Sequence, residues 1–214
     1  PSPARCDCTD HYDGVAWAAG GDIGIGTAYA RATGTENAAL SAGGYAIITG
    51  SLEYDGSAWS SGGTMITSYK THAMAGSQNA GLIFGGDQSP NAKTEEYNGS
   101  AWSAGGDMIT GRQSLGGDGS QNAAIAMGGG APAISATCTE LYNGTAWAAS
   151  SASPTNRDRG NVVGDSSKAA SFGGGAPSGC SAFANEFEGG TQTWSELSNM
   201  NSGQCDGAAA GNGS

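Results

Sequence analysis

A short segment that recurs along the chain constrains the fold more than any other feature. Each copy runs from an aromatic residue through a turn to a tryptophan, and the tryptophans are 42, 43, 45 and 47 residues apart. A pair of glycines begins 26 residues after each of the first four tryptophans. The five segments are Tyr12–Trp17, Tyr54–Trp59, Tyr97–Trp102, Tyr142–Trp147 and Phe187–Trp194, and the glycine pairs begin at Gly43, Gly85, Gly128 and Gly173. A fixed period of this length is typical of a repeat architecture.

Each repeat has the content of a small antiparallel sheet. Asp-Gly or Asn-Gly between two aromatic residues predicts a type I′ hairpin, and a strand of small residues precedes each glycine pair. Those strands are 37–42, 80–84, 123–127 and 169–172. About four short strands therefore fall in each repeat of roughly 45 residues, and no stretch has a helical pattern. Radial stacking of such sheets predicts an all-β fold, a five-bladed β-propeller of four-stranded blades.

The five blades are expected to form one domain over residues 1–214. Four blades cover approximately 25–60, 67–103, 110–148 and 155–195, and the last is split between the termini, with residues 202–214 joining residues 1–18. The repeat places a fifth glycine pair at 220, beyond Ser214, so one strand of this blade is unaccounted for. Three alternatives are open: the tail around 208–210 serves twice, the sequence is cut short, or another molecule adds the strand.

The order of these features resembles that of the kelch-type propeller repeat. Small-residue strand, Gly-Gly, variable loop, Tyr, hairpin and Trp follow one another in that order across essentially the whole chain. The distance from Tyr to Trp is shorter here than in most kelch repeats. The Tyr-Asx-Gly-x-x-Trp unit is also similar to repeats in phage and marine microbial surface proteins. The resemblance implies the propeller fold, but propellers of this kind serve enzymes, adaptors and adhesins alike.

Composition and charge argue against several classes of partner. The formal net charge of −11 disfavours binding to nucleic acid or to an anionic membrane surface. No apolar run reaches the roughly 18 residues that cross a bilayer, so membrane insertion is not expected. His11 and His72 have no partner spacing suited to a metal ion, and no catalytic constellation stands out. The sequence thus predicts no enzyme activity, no metal and no cofactor.

The five cysteines favour an oxidising environment, which for this chain means an extracellular or virion-surface location. All five map to one face of the predicted ring: Cys6, Cys8, Cys138, Cys180 and Cys205. One pairing, Cys138 with Cys180, would join neighbouring blades. Another, Cys205 with Cys6 or Cys8, would hold the two termini together. Spacing does not decide the pairing, and an odd count leaves one thiol for another partner.

A candidate ligand site is expected where the repeats differ. Ten residues after each tryptophan, at the predicted mouth of the central channel, stand Thr27, Tyr69, Arg112, Arg157 and Gln204, and a loop on the same face adds Gln88 and Asn91. Two arginines and several hydrogen-bonding side chains there indicate an anion or sugar site. The alternative is that Arg112 and Arg157 have a structural role and pair with Asp107, Asp158 or a loop carbonyl.

These features favour a non-enzymatic binding module or adhesin that recognises glycans or a cell-surface receptor. The alternative is a structural subunit of a filament, phage tail or appendage, in which the incomplete blade or the odd cysteine links neighbouring molecules.

Overall fold

The computed structural model describes residues 7–24, 28–45, 49–87, 91–130, 137–176 and 179–205. Every regular element in these ranges is a β-strand, so the predicted all-β class is confirmed. The strands form four antiparallel four-stranded sheets and two two-stranded ones. Within the same ranges, no helix has the length and apolar character that a membrane span requires.

The sheets follow one another in chain order. A two-stranded sheet of β1 (Asp10–Tyr12) and β2 (Trp17–Ala19) comes first. The first four-stranded sheet is β3 (Arg31–Thr35), β4 (Ala38–Ala42), β5 (Gly50–Tyr54) and β6 (Trp59–Thr64), and the second is β7 (Ala73–Ser77), β8 (Ala80–Phe84), β9 (Thr94–Tyr97) and β10 (Trp102–Ala104). The third is β11 (Gly116–Ser120), β12 (Ala123–Met127), β13 (Thr139–Tyr142) and β14 (Trp147–Ser150). The fourth is β15 (Asn161–Gly164), β16 (Lys168–Phe172), β19 (Ala184–Glu188) and β20 (Thr193–Glu196), with the small hairpin β17 (Gly175–Ala176) and β18 (Gly179–Cys180) inserted between β16 and β19.

The small-residue strands lie where the repeat predicted them, as the second strand of each four-stranded sheet. The Asx-Gly hairpins join the third and fourth strands, but their predicted type I′ geometry is wrong. Tyr54 pairs with Trp59, so the loop between them has four residues rather than two. Asp55 Oδ1 accepts hydrogen bonds from the backbone of Ser57 and Ala58 at 2.8 Å. Because the side chain closes the turn, only the glycine adopts a positive φ, 92° at Gly56.

The hydrophobic core lies between successive sheets rather than within one of them. Each tryptophan of a four-stranded sheet packs toward the preceding sheet, and its indole N–H donates to a hydroxyl there. Trp102 donates to Ser51 at 3.0 Å and Trp147 to Thr94 at 2.9 Å. Both indoles are buried in mixed clusters of Leu, Ile, Phe, Met and Ala. The repeated tryptophan therefore holds neighbouring sheets together.

The glycine pairs make a second contact between neighbouring sheets. Gly128 and Gly129 have φ values of 66° and 118°, a region that favours glycine. Gly129 N donates to Arg157 O, at 2.7 Å, in the next repeat. A Cβ at Gly128 would come within 2.2 Å of that same carbonyl oxygen. The pair is thus required both by its backbone conformation and by the close approach of the following sheet.

The first strands of the four sheets converge on a shared cavity. β3, β7, β11 and β15 lie side by side in that order, and residues from all four line the space between them. A wider cavity of about 770 Å³ continues it on one side. The structure therefore has a central depression with a distinct mouth, and small residues on the first strands allow the sheets to approach this axis.

The N-terminal hairpin β1–β2 packs against the first four-stranded sheet in the way that the other hairpins pack against their successors. Trp59 Nε1 donates to Thr9 Oγ1 at 2.9 Å, which matches the bond from Trp102 to Ser51. The β1–β2 hairpin therefore corresponds to the third and fourth strands of the other repeats. The C-terminal tail that was expected to supply its first strand lies mostly in residues 206–214, outside the described residues.

Candidate functional site

The predicted channel-mouth arginines lie inside the protein. Arg112 and Arg157 have 0% exposure, and Tyr69 has 1%. The expectation that these three side chains line an open mouth is wrong, because they fold back into their own sheets. Their burial leaves no surface on which a ligand could contact them in this conformation.

The positive charge of Arg112 is compensated by groups of the third sheet. Its guanidinium donates to the carbonyl oxygens of Gly128 and Cys138 and lies 3.1 Å from Glu140 Oε1. The Glu140 carboxylate also accepts hydrogen bonds from the backbone N–H groups of Ile109 and Thr110. The arginine and the carboxylate together fix the start of the repeat, which agrees with the structural alternative of pairing with a loop carbonyl.

Arg157 occupies the equivalent position in the fourth sheet without a carboxylate partner. It donates to the carbonyl oxygens of Gly173 and Phe183 and to Asn185 Oδ1. Asn185 stands where Glu140 stands in the third sheet. Burial lowers the pKa of Arg157 to about 10, which still leaves the side chain charged at neutral pH. The fourth sheet thus holds a buried positive charge among neutral groups.

The remaining predicted ligand residues are dispersed. Thr27 and Gln88 lie outside the described residues. Asn91 supports the second and third sheets, since its carbonyl accepts from Arg112 N at 3.1 Å. Gln204 is exposed and pairs with Ser181 through a backbone bridge. The ligand-binding role of these positions stays a prediction.

The cysteine pairings considered from the sequence are wrong. Cys180 and Cys205 are bonded to each other, with their Cα atoms 4.6 Å apart. The bond joins the β17–β18 hairpin to the C-terminal segment, so neither Cys180 nor Cys205 can pair with Cys138, Cys6 or Cys8. Cys8 is exposed, and Cys6 lies outside the described residues. A disulfide is compatible with an extracellular location.

The mouth of the central cavity is formed two residues further along each repeat than predicted. Its lining contains two tyrosines, charged residues of both signs and short polar groups. These residues are Tyr29, Ala30, Arg31, Tyr45, Lys70, Thr71, Asp87, Gln113, Ser114, Gly130, Asp158 and Arg159.

Four of these residues share an unusual backbone conformation. Tyr29, Thr71, Ser114 and Arg159, each twelve residues after a tryptophan, have φ values of 61°, 52°, 55° and 56°. This left-handed region costs a non-glycine residue roughly 1–2 kcal/mol. Backbone bonds hold it, since Ser114 N donates to Thr71 O at 2.7 Å and Arg159 N to Ser114 O at 2.8 Å. We call these four residues the rim.

Two aromatic rings stand open at this mouth. Tyr29 and Tyr45 are 54% and 50% exposed, and their ring centroids are 6.2 Å apart. The Lys70 ammonium lies 4.9 Å from the centre of the Tyr45 ring and 3.5 Å from Asp87 Oδ2. The tyrosines thus offer apolar faces beside fixed charged groups, a combination typical of ligand pockets.

Known proteins provide no guide to what binds here. The chain matches no protein-family model and no curated protein. Its function therefore has to be argued from the geometry of the mouth. Within the described residues, no group of three or more His, Cys, Asp or Glu side chains is arranged to hold a metal ion.

The sequence contained part of the information needed to find the mouth. The repeats correctly predict that the mouth is formed by residues shortly after each tryptophan. The residue ten positions after Trp102 is the buried Arg112, whereas the residue twelve positions after it belongs to the rim. The positive φ of the rim has no marker in the sequence, because its residues are not glycines. The variety of side chains between repeats does not distinguish the position ten residues after the tryptophan from the position twelve residues after it.

Proposed function

We propose that the chain is a five-bladed β-propeller that binds carbohydrate at the mouth of its central cavity, outside the cell or on a virion surface. It acts as a binding module or adhesin rather than as an enzyme. The propeller is supported by the four successive sheets around one cavity and by the repeated contacts between them. A Cβ on Gly173 would lie 2.9 Å from Gln204 O, much as one on Gly128 would meet Arg157 O. This equivalent contact supports a fifth repeat that begins against the fourth.

One observation carries the proposal of a carbohydrate ligand: the two half-exposed tyrosine rings at the mouth. Tyrosine offers a broad, rigid contact face with little loss of side-chain entropy, and the apolar face of a sugar ring can pack on it. Gln113, Ser114 and Asp87 supply acceptors and donors beside the rings, as sugar hydroxyls require. A rigid scaffold with variable loop residues suits this use.

The test is a glycan array followed by calorimetry with the best ligand. Replacing Tyr29 or Tyr45 with Ala should weaken binding by about tenfold or more, because an aromatic contact contributes on the order of 1–3 kcal/mol. Tyr12→Ala is the matched control, since Tyr12 is 48% exposed but lies on β1. Equal losses in all three variants, or no carbohydrate bound at all, would contradict the proposal.

A second candidate function, self-assembly into a filament or appendage, is favoured by the exposed side of β1–β2 that carries Trp17. Trp17 is 71% exposed, whereas the equivalent Trp102 and Trp147 are 8% and 6% exposed. A second copy that covered this face would bury an indole as the other repeats do. Native mass spectrometry of the wild type and of Trp17→Ser distinguishes the cases: oligomers that disappear in the variant support assembly, and a monomeric wild type contradicts it.

A further inference from the structure

Positive charge is concentrated at the mouth of an otherwise acidic protein. The chain has 8 Lys and Arg against 19 Asp and Glu. Three of those eight, Arg31, Lys70 and Arg159, line the mouth cavity together with two carboxylates, Asp87 and Asp158. At about 0.1 M salt the Debye length is roughly 10 Å, so charges at the mouth affect a ligand there more than the distant acidic surface does.

The buried Arg157 adds to this local charge. It precedes the two lining residues Asp158 and Arg159, and every partner of its guanidinium is a neutral oxygen. The equivalent Arg112 is neutralised by Glu140 at 3.1 Å. A charge in a poorly hydrated interior is screened less than one at the surface. Among the described residues, the mouth lining and the adjacent Arg157 together carry four positive and two negative groups.

Two ion pairs between described residues lie at the mouth, and both have long N–O distances. Arg159 Nε lies 3.6 Å from Asp158 Oδ2, and both side chains are substantially exposed, at 50% and 38%. Lys70 Nζ lies 3.5 Å from Asp87 Oδ2. Exposed pairs at such distances contribute little free energy. A guanidinium binds an anion that approaches with two oxygens through paired hydrogen bonds.

We infer that the mouth binds an acidic carbohydrate, one whose carboxylate or sulfate group lies against Arg159 and Arg31 while its ring packs on Tyr29 and Tyr45. This inference rests on the proposed function and specifies the class of its ligand. Carboxylate and sulfate share the chemistry that the guanidinium groups recognise, and the experiment separates the two.

The decisive experiment compares ligands that differ only in charge. Affinity is measured by calorimetry at about 0.1 M salt for an oligogalacturonate, for its uncharged methyl ester, and for a sulfated and an unsulfated galactan of equal length. The charged member of at least one pair should bind about tenfold more tightly, and that preference should shrink as salt rises. The pair that shows the preference identifies carboxylate or sulfate as the group bound.

Three variants test whether the named charges are responsible. Arg159→Gln should reduce the preference for the charged ligand over the uncharged one at least fivefold. Asn185→Glu should also reduce it, because it gives Arg157 the carboxylate that Arg112 has, without touching the ligand. Lys168→Gln is the control: Lys168 pairs with Glu186 on the fourth sheet at 3.1 Å, away from the mouth, and its loss should change neither affinity.

The outcomes separate this inference from the proposed function. Equal binding of charged and uncharged oligosaccharides, with both weakened by Tyr45→Ala, would overturn the inference and leave the proposed function standing. An equal effect of Arg159→Gln on both ligands would do the same. Absence of binding to every oligosaccharide would overturn both. Tighter binding of a poly-glutamate peptide than of any acidic oligosaccharide would also overturn both, since the ligand would then be a peptide.

Discussion

His72 is fully buried, and neither nitrogen of its ring has a hydrogen-bond partner within the described residues. Leu115 stands at the equivalent position of the next repeat, so this part of the repeat is apolar in character. Burial lowers the pKa of His72 to about 3, well below the ordinary value of 6.5. The side chain is therefore neutral in the folded protein, while the unfolded chain takes up a proton as the pH falls below 6.5.

Stability should consequently fall as the pH is lowered from about 6.5 toward 3, because only the unfolded state gains a proton from His72 in that range. The maximal slope from one such group is about 1.4 kcal/mol per pH unit. His72→Leu should remove this component and make the pH dependence of the free energy of unfolding shallower by up to that slope. Urea denaturation at pH 7, 6, 5 and 4 measures it; identical slopes in variant and wild type would contradict the assignment.

Glu140 gives a second prediction for a single residue. Glu140→Gln leaves the buried Arg112 without its counter-charge and weakens two backbone hydrogen bonds, so the free energy of unfolding at pH 7 should fall by about 3–5 kcal/mol. Glu186→Gln is the matched control, because Glu186 pairs with the exposed Lys168 and its loss should cost less than about 1 kcal/mol. Equal costs in chemical denaturation would show that the buried pair is not special.

The role of an individual residue was predictable from the sequence only where the same residue type recurs at the same position in every repeat. The tryptophans and glycine pairs recur at fixed offsets, and their packing roles follow from that. Arg112 and Arg157 also recur, but a charged side chain at a given offset can point inward or outward. The carboxylate at position 140 that draws Arg112 inward lies 28 residues away in sequence, so no local pattern revealed it.

At the scale of the strands, neighbouring sheets contact each other through matched side-chain pairs. Tyr97 and Tyr142 donate through their hydroxyl groups to Glu53 and Glu96, both at 2.6 Å, in the preceding sheet. In the fourth sheet the donor position holds Phe187, and the acceptor position holds Leu141, which packs against the same cluster. Both members of the pair are polar or both are apolar, which is what physical contact between them requires.

A double-mutant cycle on one pair tests this matching. Tyr142→Phe removes the donor to Glu96 and should cost about 1–2 kcal/mol. Adding Glu96→Leu creates the pair that Leu141 and Phe187 form naturally, and it should recover most of that loss. The coupling energy from chemical denaturation should therefore be at least about 1 kcal/mol. Additive single effects would show that the two side chains act independently.

The sequence predicted most strands because their ends carry strong markers. Glycine pairs end the second strands, and Asx-Gly turns separate the third from the fourth. It did not predict the β17–β18 hairpin, which has only two residues per strand and so no alternation to recognise. It did not predict the bulge between Gly50 and Leu52 either.

At the scale of the molecule, the Cys180–Cys205 bond ties the end of the described chain to the fourth sheet. The cysteines are 25 residues apart, and closing a loop of that length lowers the entropy of the unfolded chain by the equivalent of about 3–4 kcal/mol. The double variant Cys180→Ser/Cys205→Ser, or dithiothreitol treatment of the wild type, should lower the thermal unfolding midpoint by several degrees in scanning calorimetry. Cys8→Ser is the control and should leave the midpoint unchanged.

The architecture was predictable at this scale as a succession of antiparallel sheets, since four of the five predicted four-stranded units are present in chain order in the described residues. The disulfide was not, because pairing depends on where loops meet in space. The alternatives for the incomplete fifth unit stay open, since the tail beyond residue 205 is outside the described residues.

The rim has a consequence for how this protein can change. The backbone amides of Ser114 and Arg159 bond to the neighbouring unit, and four different amino acids occupy one backbone conformation at the rim. Substitutions at 29, 71, 114 and 159 should therefore leave the backbone of the scaffold unchanged. Mutation of these four positions can alter which ligand the protein binds. A small combinatorial library at these four sites is a natural starting point for engineering new recognition.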